Sequence, residues 1–136
     1  REPLLLALPA GHPLASRDSL RLAEVADDAF ITQPRELAAT LYDRLVKLAA
    51  KAGFKPRINQ HAQQINGLLA LVAAGLGLAL VPATMRTVRL AGVSYVPLED
   101  ADAYLLLAAA SRIQDQSPAL EKFLATVAEV AVVSSL

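Results

Sequence analysis

The stretch Leu68–Pro82, LLALVAAGLGLALVP, limits what the rest of the chain can become. Leu68, Leu69, Leu71 and Val72 recur at mixed one-, three- and four-residue spacing, with Ala70, Ala73 and Ala74 between them. A helix built from them is apolar around most of its circumference and calls for burial on more than one side. Gly75 stands past the end of that helix, where a left-handed backbone costs an L-residue energy and glycine little. Gly77 then lets helix and strand approach closely. Leu78–Val81 is a short apolar run of the kind found in strands covered on both faces. Pro82, without an amide donor, closes the strand or opens the next helix. Taken alone, the stretch is a plain helix–turn–strand core. It is too short for the roughly 18–20 apolar residues of a membrane span, and glycines break it.

The same grammar runs along the chain. Pro3–Leu8, PLLLAL, lacks alternation and reads as a central strand covered on both faces. Pro9-Ala10-Gly11 breaks it. Ser19 and Glu24 bracket a short helix with Ser19 as its cap. Ala29–Thr32 is a short strand leading into Gln33-Pro34-Arg35-Glu36. From Leu37 to Ala52, apolar residues recur at three and four, the period of a helix, with Asp43 and Lys47 as a favourable i,i+4 pair. Gly53 lies past its end. Arg57–His61 is a polar strand near a sheet edge, and Gln63–Ala74 is the helix entering the glycine turn. A short helix over Ala83–Val88, a strand over Gly92–Pro97 and a buried strand over Tyr104–Ala110 follow. A last helix is capped by Ser117, with Pro118 in its first turn and a buried stripe of Leu120, Phe123, Leu124, Val127 and Val130. Strands alternating with helices predict an α/β fold with a mostly parallel sheet.

Bulk properties remove several function classes. Thirteen basic residues balance thirteen acidic ones, which gives no electrostatic case for nucleic-acid binding by this chain. No cysteine is present, so disulfide and thiol chemistry are excluded. Hydrophobic residues make up 54%, the composition of a folded chain rather than a disordered one. No signal-peptide pattern is visible; Arg1-Glu2-Pro3 opens directly into the first strand. No GxSxG elbow, HExxH, GxxxxGK[ST] or GxGxxG occurs, and Gly75-x-Gly77 follows a helix, the wrong order for a dinucleotide-binding turn. His12 and His61 are the only histidines, and neither has a nucleophile or ligand set at catalytic or metal spacing; His12 reads as a hydrogen-bonding hinge residue. Glu99, Asp100 and Asp102 form an acidic loop that reads as a solvated turn rather than a cation site. No catalytic residue, metal ligand or cofactor is therefore assigned.

In open α/β sheets, ligands bind beyond the carboxyl ends of strands, where helix starts point. The first such place is Thr32–Leu41. Free amides at the helix start favour a carboxylate. Gln33 offers an amide, Arg35 a charge and Thr40 a hydroxyl, Pro34 lies in the turn between them, and Ala39 and Leu41 offer an apolar wall. Spacing alone favours the plainer reading, with Arg35 and Glu36 an exposed loop pair and Thr40 an ordinary helix residue. Asn66, with Gln63 and Gln64, is a secondary candidate and serves equally well as helix capping and surface polarity.

GHPLA at Gly11–Ala15, AGFKP at Ala52–Pro56, the glycine-turn stretch, GVSYVPL at Gly92–Leu98 and SPALEKFL at Ser117–Leu124 stand in a characteristic order. Together they resemble the effector-binding domain of LysR-type transcriptional regulators, most closely the branch responding to aromatic-catabolite acids such as muconates and benzoate. The resemblance implies a periplasmic-binding-protein-like fold of two subdomains joined by crossovers near Ala7–Pro13 and Asp100–Tyr104. Residues 11–102 would form subdomain II, and residues 1–10 and 103–136 a remnant of subdomain I. The chain, opening on arginine, then reads as a piece that lacks the first part of subdomain I and the N-terminal winged helix-turn-helix. The resemblance further implies a non-enzymatic, cytoplasmic sensor of a small organic acid that self-associates as a dimer or tetramer and meets DNA only through the absent N-terminal domain. It places Thr32–Leu41 on one wall of the effector cleft. Truncation would leave Pro3–Leu8 and Tyr104–Ala110 with an open edge or face. The competing readings are a fragment of a periplasmic-type solute-binding protein, which shares the architecture, and an α/β enzyme working through His12 or the Glu99–Asp102 loop.

Overall fold

The computed structural model describes residues 1–114 and 117–133. Its centre is β1 (Glu2–Pro9), whose Leu4–Leu8 are almost wholly buried. Side chains alternate across a strand, so β1 feeds two cores. Leu4, Leu6 and Leu8 join Leu20, Leu22, Val25, Phe30, Leu45 and Leu48 on one side. Leu5 and Ala7 join Ile31, Leu68, Leu69, Val72 and Val81 on the other. The first core receives helix α1 (Ala39–Lys51) and the second helix α2 (Ile65–Ala73). This two-sided burial is what an unbroken apolar run without alternation calls for. The expectation that truncation leaves Pro3–Leu8 with an open edge or face fails, because both edges of β1 are paired.

Strands β2 (Ala29–Thr32) and β3 (Arg57–His61) pair in parallel. A parallel bridge, Phe30 to Leu78, connects β2 to the start of β4 (Ala79–Pro82). Strand β1 lies between β4 and β5 (Val93–Pro97), antiparallel to both, and at Glu2 and Pro3 also pairs antiparallel with the two-residue β6 (Tyr104–Leu105). The expected mostly parallel sheet is therefore corrected to a mixed one. The strand–helix units do produce parallel neighbours, as expected. One strand, β1, is inserted between others and runs against them, and among the described residues it accounts for every antiparallel pairing. A pattern of elements states which strands follow which, not which strand is threaded between two later ones.

The glycine turn is built as its sequence dictates. Gly75 has φ +77° and follows α2. At Gly77 a β-carbon would lie 2.8 Å from the Ala29 carbonyl oxygen, so glycine permits the approach of β4 to β2 there. Pro82 ends β4 and leads into a 3-10 turn over Ala83–Thr87.

Other elements depart from expectation. The short helix near Ser19 is a 3-10 turn over Leu22–Val25. Its start is served by Glu24, which accepts from the Arg21 amide at 2.8 Å, while Ser19 donates instead to Glu99. Helix α1 begins at Ala39, so Leu37 stays 62% exposed rather than joining the buried stripe. The strand at Tyr104 stops after two residues, because only Glu2 and Pro3 offer it partners, and Leu106 and Leu107 are exposed. In helix α3 (Pro118–Val133), Ser117 does cap, accepting from the Leu120 amide at 3.3 Å. Its apolar stripe is not buried as expected: Phe123 and Val130 are each 59% exposed. Among the described residues, no helix is long and apolar enough to cross a membrane.

Candidate functional site

Because β2 and β3 are parallel neighbours, the chain leaves both at the same end and enters a helix from each. After Thr32, which is buried, the segment Gln33–Ala38 leads into α1; after His61, Ala62–Gln64 leads into α2. Neither helix start has a side-chain cap, since Ala38 precedes α1 and Gln64 precedes α2 without one. The first intrahelical acceptors serve Tyr42, through the Ala38 carbonyl, and Leu68, through the Gln64 carbonyl. The amides of each first turn therefore face outward without an acceptor of their own helix, and they carry the positive end of the helix dipole. Two such ends at one sheet edge form a place where an anion is stabilised without any formal charge.

The two loops are fastened to each other. The Ala62 amide donates to the Thr32 carbonyl at 3.1 Å, and Gln33 Nε2 donates to the Gln63 carbonyl at 2.9 Å. The Pro34 carbonyl accepts from the Leu37 and Ala38 amides, which tightens the turn before α1. Arg35 is not a free cation. Its guanidinium forks onto Asp43, with Nε and Nη2 at 2.7 and 3.0 Å from the two carboxylate oxygens. That fork raises the Arg35 pKa above its ordinary value and holds the Asp43 carboxyl below the usual range, the hydrogen bond being the main cause of each. The expected pairing of Asp43 with Lys47 gives way to this bidentate one, which has the better geometry.

Of the six residues singled out in the sequence, Ala39 and Thr40 are exposed at the first turn of α1. Among the described residues, the Thr40 hydroxyl makes no hydrogen bond, so it and the first-turn amides are the open donors here. Leu41 is half-buried and packs against the first core. Gln33 and Arg35 are committed to neighbours, and Pro34 shapes the turn. Of the secondary group, the Gln63 carbonyl accepts from Gln33, the Gln64 carbonyl accepts from the Leu68 amide within α2, and Asn66 is exposed in the first turn of α2. Sequence reasoning missed the role of Asp43. An eight-residue separation across a turn leaves no periodic signal.

Residues considered for other chemistry have structural employment. His12 accepts from the Leu14 amide through Nδ1 at 3.2 Å, which leaves Nε2 to donate toward Asp28 at 3.4 Å. Asp100 accepts from the Leu22 amide at 2.9 Å, Glu99 accepts from Ser19, and Asp102 is paired with Lys51. Among the described residues, no group of three or more His, Cys, Asp or Glu could hold a metal ion.

Comparison with known proteins places the chain in a family. Residues 1–132 match the family described as the LysR substrate binding domain. The chain is 34% identical over 130 residues to the HTH-type transcriptional regulator CatR of Pseudomonas putida, covering 96% of this chain and 45% of that protein. It is 28% identical to the regulator BenM of Acinetobacter baylyi, over 95% of this chain and 43% of BenM. Among solved structures, the BenM effector binding domain with its effector benzoate superposes with a TM-score of 0.81 at 26% identity, covering 99% of this chain and 62% of that one. The chain thus spans less than half the length of these curated relatives.

Proposed function

The chain belongs to the LysR substrate binding domain family, and from that premise we propose that it senses a small organic acid on behalf of a bacterial transcriptional regulator. The relatives it matches are transcriptional regulators rather than enzymes, and the family match favours a regulator over a periplasmic solute-binding protein. The observation that carries the acid reading is the pair of uncapped helix starts at the shared end of β2 and β3, with the Thr40 hydroxyl beside one of them.

In this reading Gln33, Pro34, Arg35, Ala39, Thr40 and Leu41 form one wall of a cleft between two subdomains. Residues 11–102 are the second subdomain, and 1–10 with 103–136 belong to the first. The first-turn amides of α1 and the Thr40 hydroxyl receive the carboxylate, while Ala39 and Leu41 meet its hydrocarbon part. Arg35, turned onto Asp43, holds the loop in place. The acid is recognised by dipoles and neutral donors, which suits a monoanion such as the benzoate that BenM takes. Occupancy shifts the population of assembly shapes, dimer or tetramer, and so changes how an N-terminal winged helix-turn-helix engages a promoter in the cytoplasm.

The test is a thermal-shift screen of benzoate, muconates, catechol-derived acids and amino acids on the full-length regulator, alongside a Thr40→Val variant. An acid that binds only the folded state adds about 2.7 kcal/mol of stability at a hundred times its Kd. A midpoint that rises with concentration, and rises less in Thr40→Val, is the expected result. No shift with any acid would remove the acid effector and leave the family assignment standing.

A further inference from the structure

Away from the start of α1, the same helix presents a second charged feature. Arg44, Lys47 and Lys51 recur at three and four residues and therefore share one face of α1. With Leu48, Ala50 and Asp102 they line a cleft of about 290 Å³, and among the described residues its only acidic member is Asp102. That carboxylate is already taken by Lys51, and the pairing holds it below the usual carboxylate range. Among the described residues, Lys47 has no carboxylate within ion-pair distance.

Arg44 is held in place from two directions. Its guanidinium lies 5.5 Å from the centre of the Tyr104 ring, and Nη1 reaches the Asp102 carbonyl at 3.5 Å. A guanidinium carries five N–H donors, so most of its fork stays available, and its orientation is fixed before any ligand arrives. In a chain whose charges balance overall, three cations here stand around one carboxylate.

We propose that this cleft is a binding site for a small phosphate-type dianion, held by the Arg44 fork and by Lys47 and Lys51. A monocarboxylate would leave the excess charge unmatched; a tetrahedral dianion matches it and offers oxygens to all three side chains. Because the cleft joins α1 to the chain at Asp102, an occupant ties the helix to the crossing between β5 and β6. The site is independent of the acid reading at the other end of α1, since it shares no residue with it.

Inorganic phosphate is titrated into the ¹⁵N-labelled protein at constant ionic strength, with chloride as the control and glycerol phosphate as a phosphomonoester. The expected result is a saturable shift of the amide signals around Arg44–Lys51 and Asp102–Tyr104 with phosphate and none with chloride. Tighter binding of glycerol phosphate would assign the site to phosphorylated metabolites, and equal or weaker binding to free phosphate. Lys47→Glu, at an exposed position with no carboxylate within ion-pair distance, should weaken binding at least tenfold, with the spectrum otherwise unchanged away from Asp43, whose carboxylate feels the Lys47 charge. Arg44→Lys should weaken it as well, because the fork is lost while the charge remains. A linear response equal to that of chloride, or saturable binding indifferent to Lys47→Glu, would overturn the proposal.

Discussion

Replacing Gly77 by alanine should damage the fold far more than replacing Gly75, although the two glycines stand two residues apart in one turn. At Gly77 the added β-carbon would sit 2.8 Å from the Ala29 carbonyl oxygen and 3.0 Å from Ile31 Cγ1. The oxygen belongs to the β2 backbone and cannot swing aside as a side chain would. Relief requires β2 and β4 to separate, yet their contact is made by short bonds: the Leu78 amide donates to Ala29 at 2.8 Å and the Ile31 amide to Leu78 at 2.7 Å. Overpacking of this kind costs about 1–3 kcal/mol, and each hydrogen bond weakened adds about 1 kcal/mol. A total of about 2–5 kcal/mol follows for Gly77→Ala. At Gly75 a β-carbon meets nothing within 4 Å, and only the backbone at φ +77° objects. That left-handed strain is about 1–2 kcal/mol. Urea unfolding of the two variants, with unchanged slopes, measures both. Gly77 also has φ +158°, a backbone that favours glycine; equal losses, or a smaller loss for Gly77→Ala, would refute the claim that close approach adds to the conformational cost there.

Phe30 is fully buried and stacks against Phe54 with ring centres 6.2 Å apart, so Phe30→Ala should cost about 3–5 kcal/mol. Leu37→Ser, at an exposed loop position, should stay within about 0.5 kcal/mol of the parent; chemical unfolding compares the two. The carboxyls of Asp43 and Asp102 are held below their ordinary value of 3.8 by Arg35 and Lys51. The folded chain therefore binds fewer protons there than the unfolded one. Their stabilisation is complete above the unfolded pKa and disappears as pH falls through the folded values. In a carboxyl-detected NMR titration, Arg35→Gln should raise the Asp43 midpoint and leave Asp102 where it was; movement of both, or of neither, would contradict the pairing.

Much of the fold is written locally. The run Pro3–Leu8 lacks alternation because both faces of β1 are buried, and the glycine turn follows from the need for a left-handed residue and then for a close approach. Expectation failed where a pattern says what a face wants without saying what lies against it. The stripe of α3 is apolar and periodic, yet Phe123 and Val130 stay exposed. The apolar run from Tyr104 reads as a strand, yet strand pairing requires a neighbour, and β1 offers two residues. At the candidate site, the strand end and helix start were legible from Thr32–Leu41. The engagement of Arg35 with Asp43 was not, because a loop conformation decides it, and sequence supplies the charges but not the path between them.

Strand β1 also sets a schedule. Its residues leave the ribosome long before their partners do: Leu5 pairs with Val81 and Pro97, roughly 75–90 residues later. At about 5–20 residues per second, an apolar strand waits on the order of 4–20 seconds for the neighbours that cover it. Meanwhile β2, α1, β3 and α2 can associate through contacts nearer in sequence. Long-range pairing of this sort slows folding, and the sheet cannot close around β1 until β4 and β5 have been made.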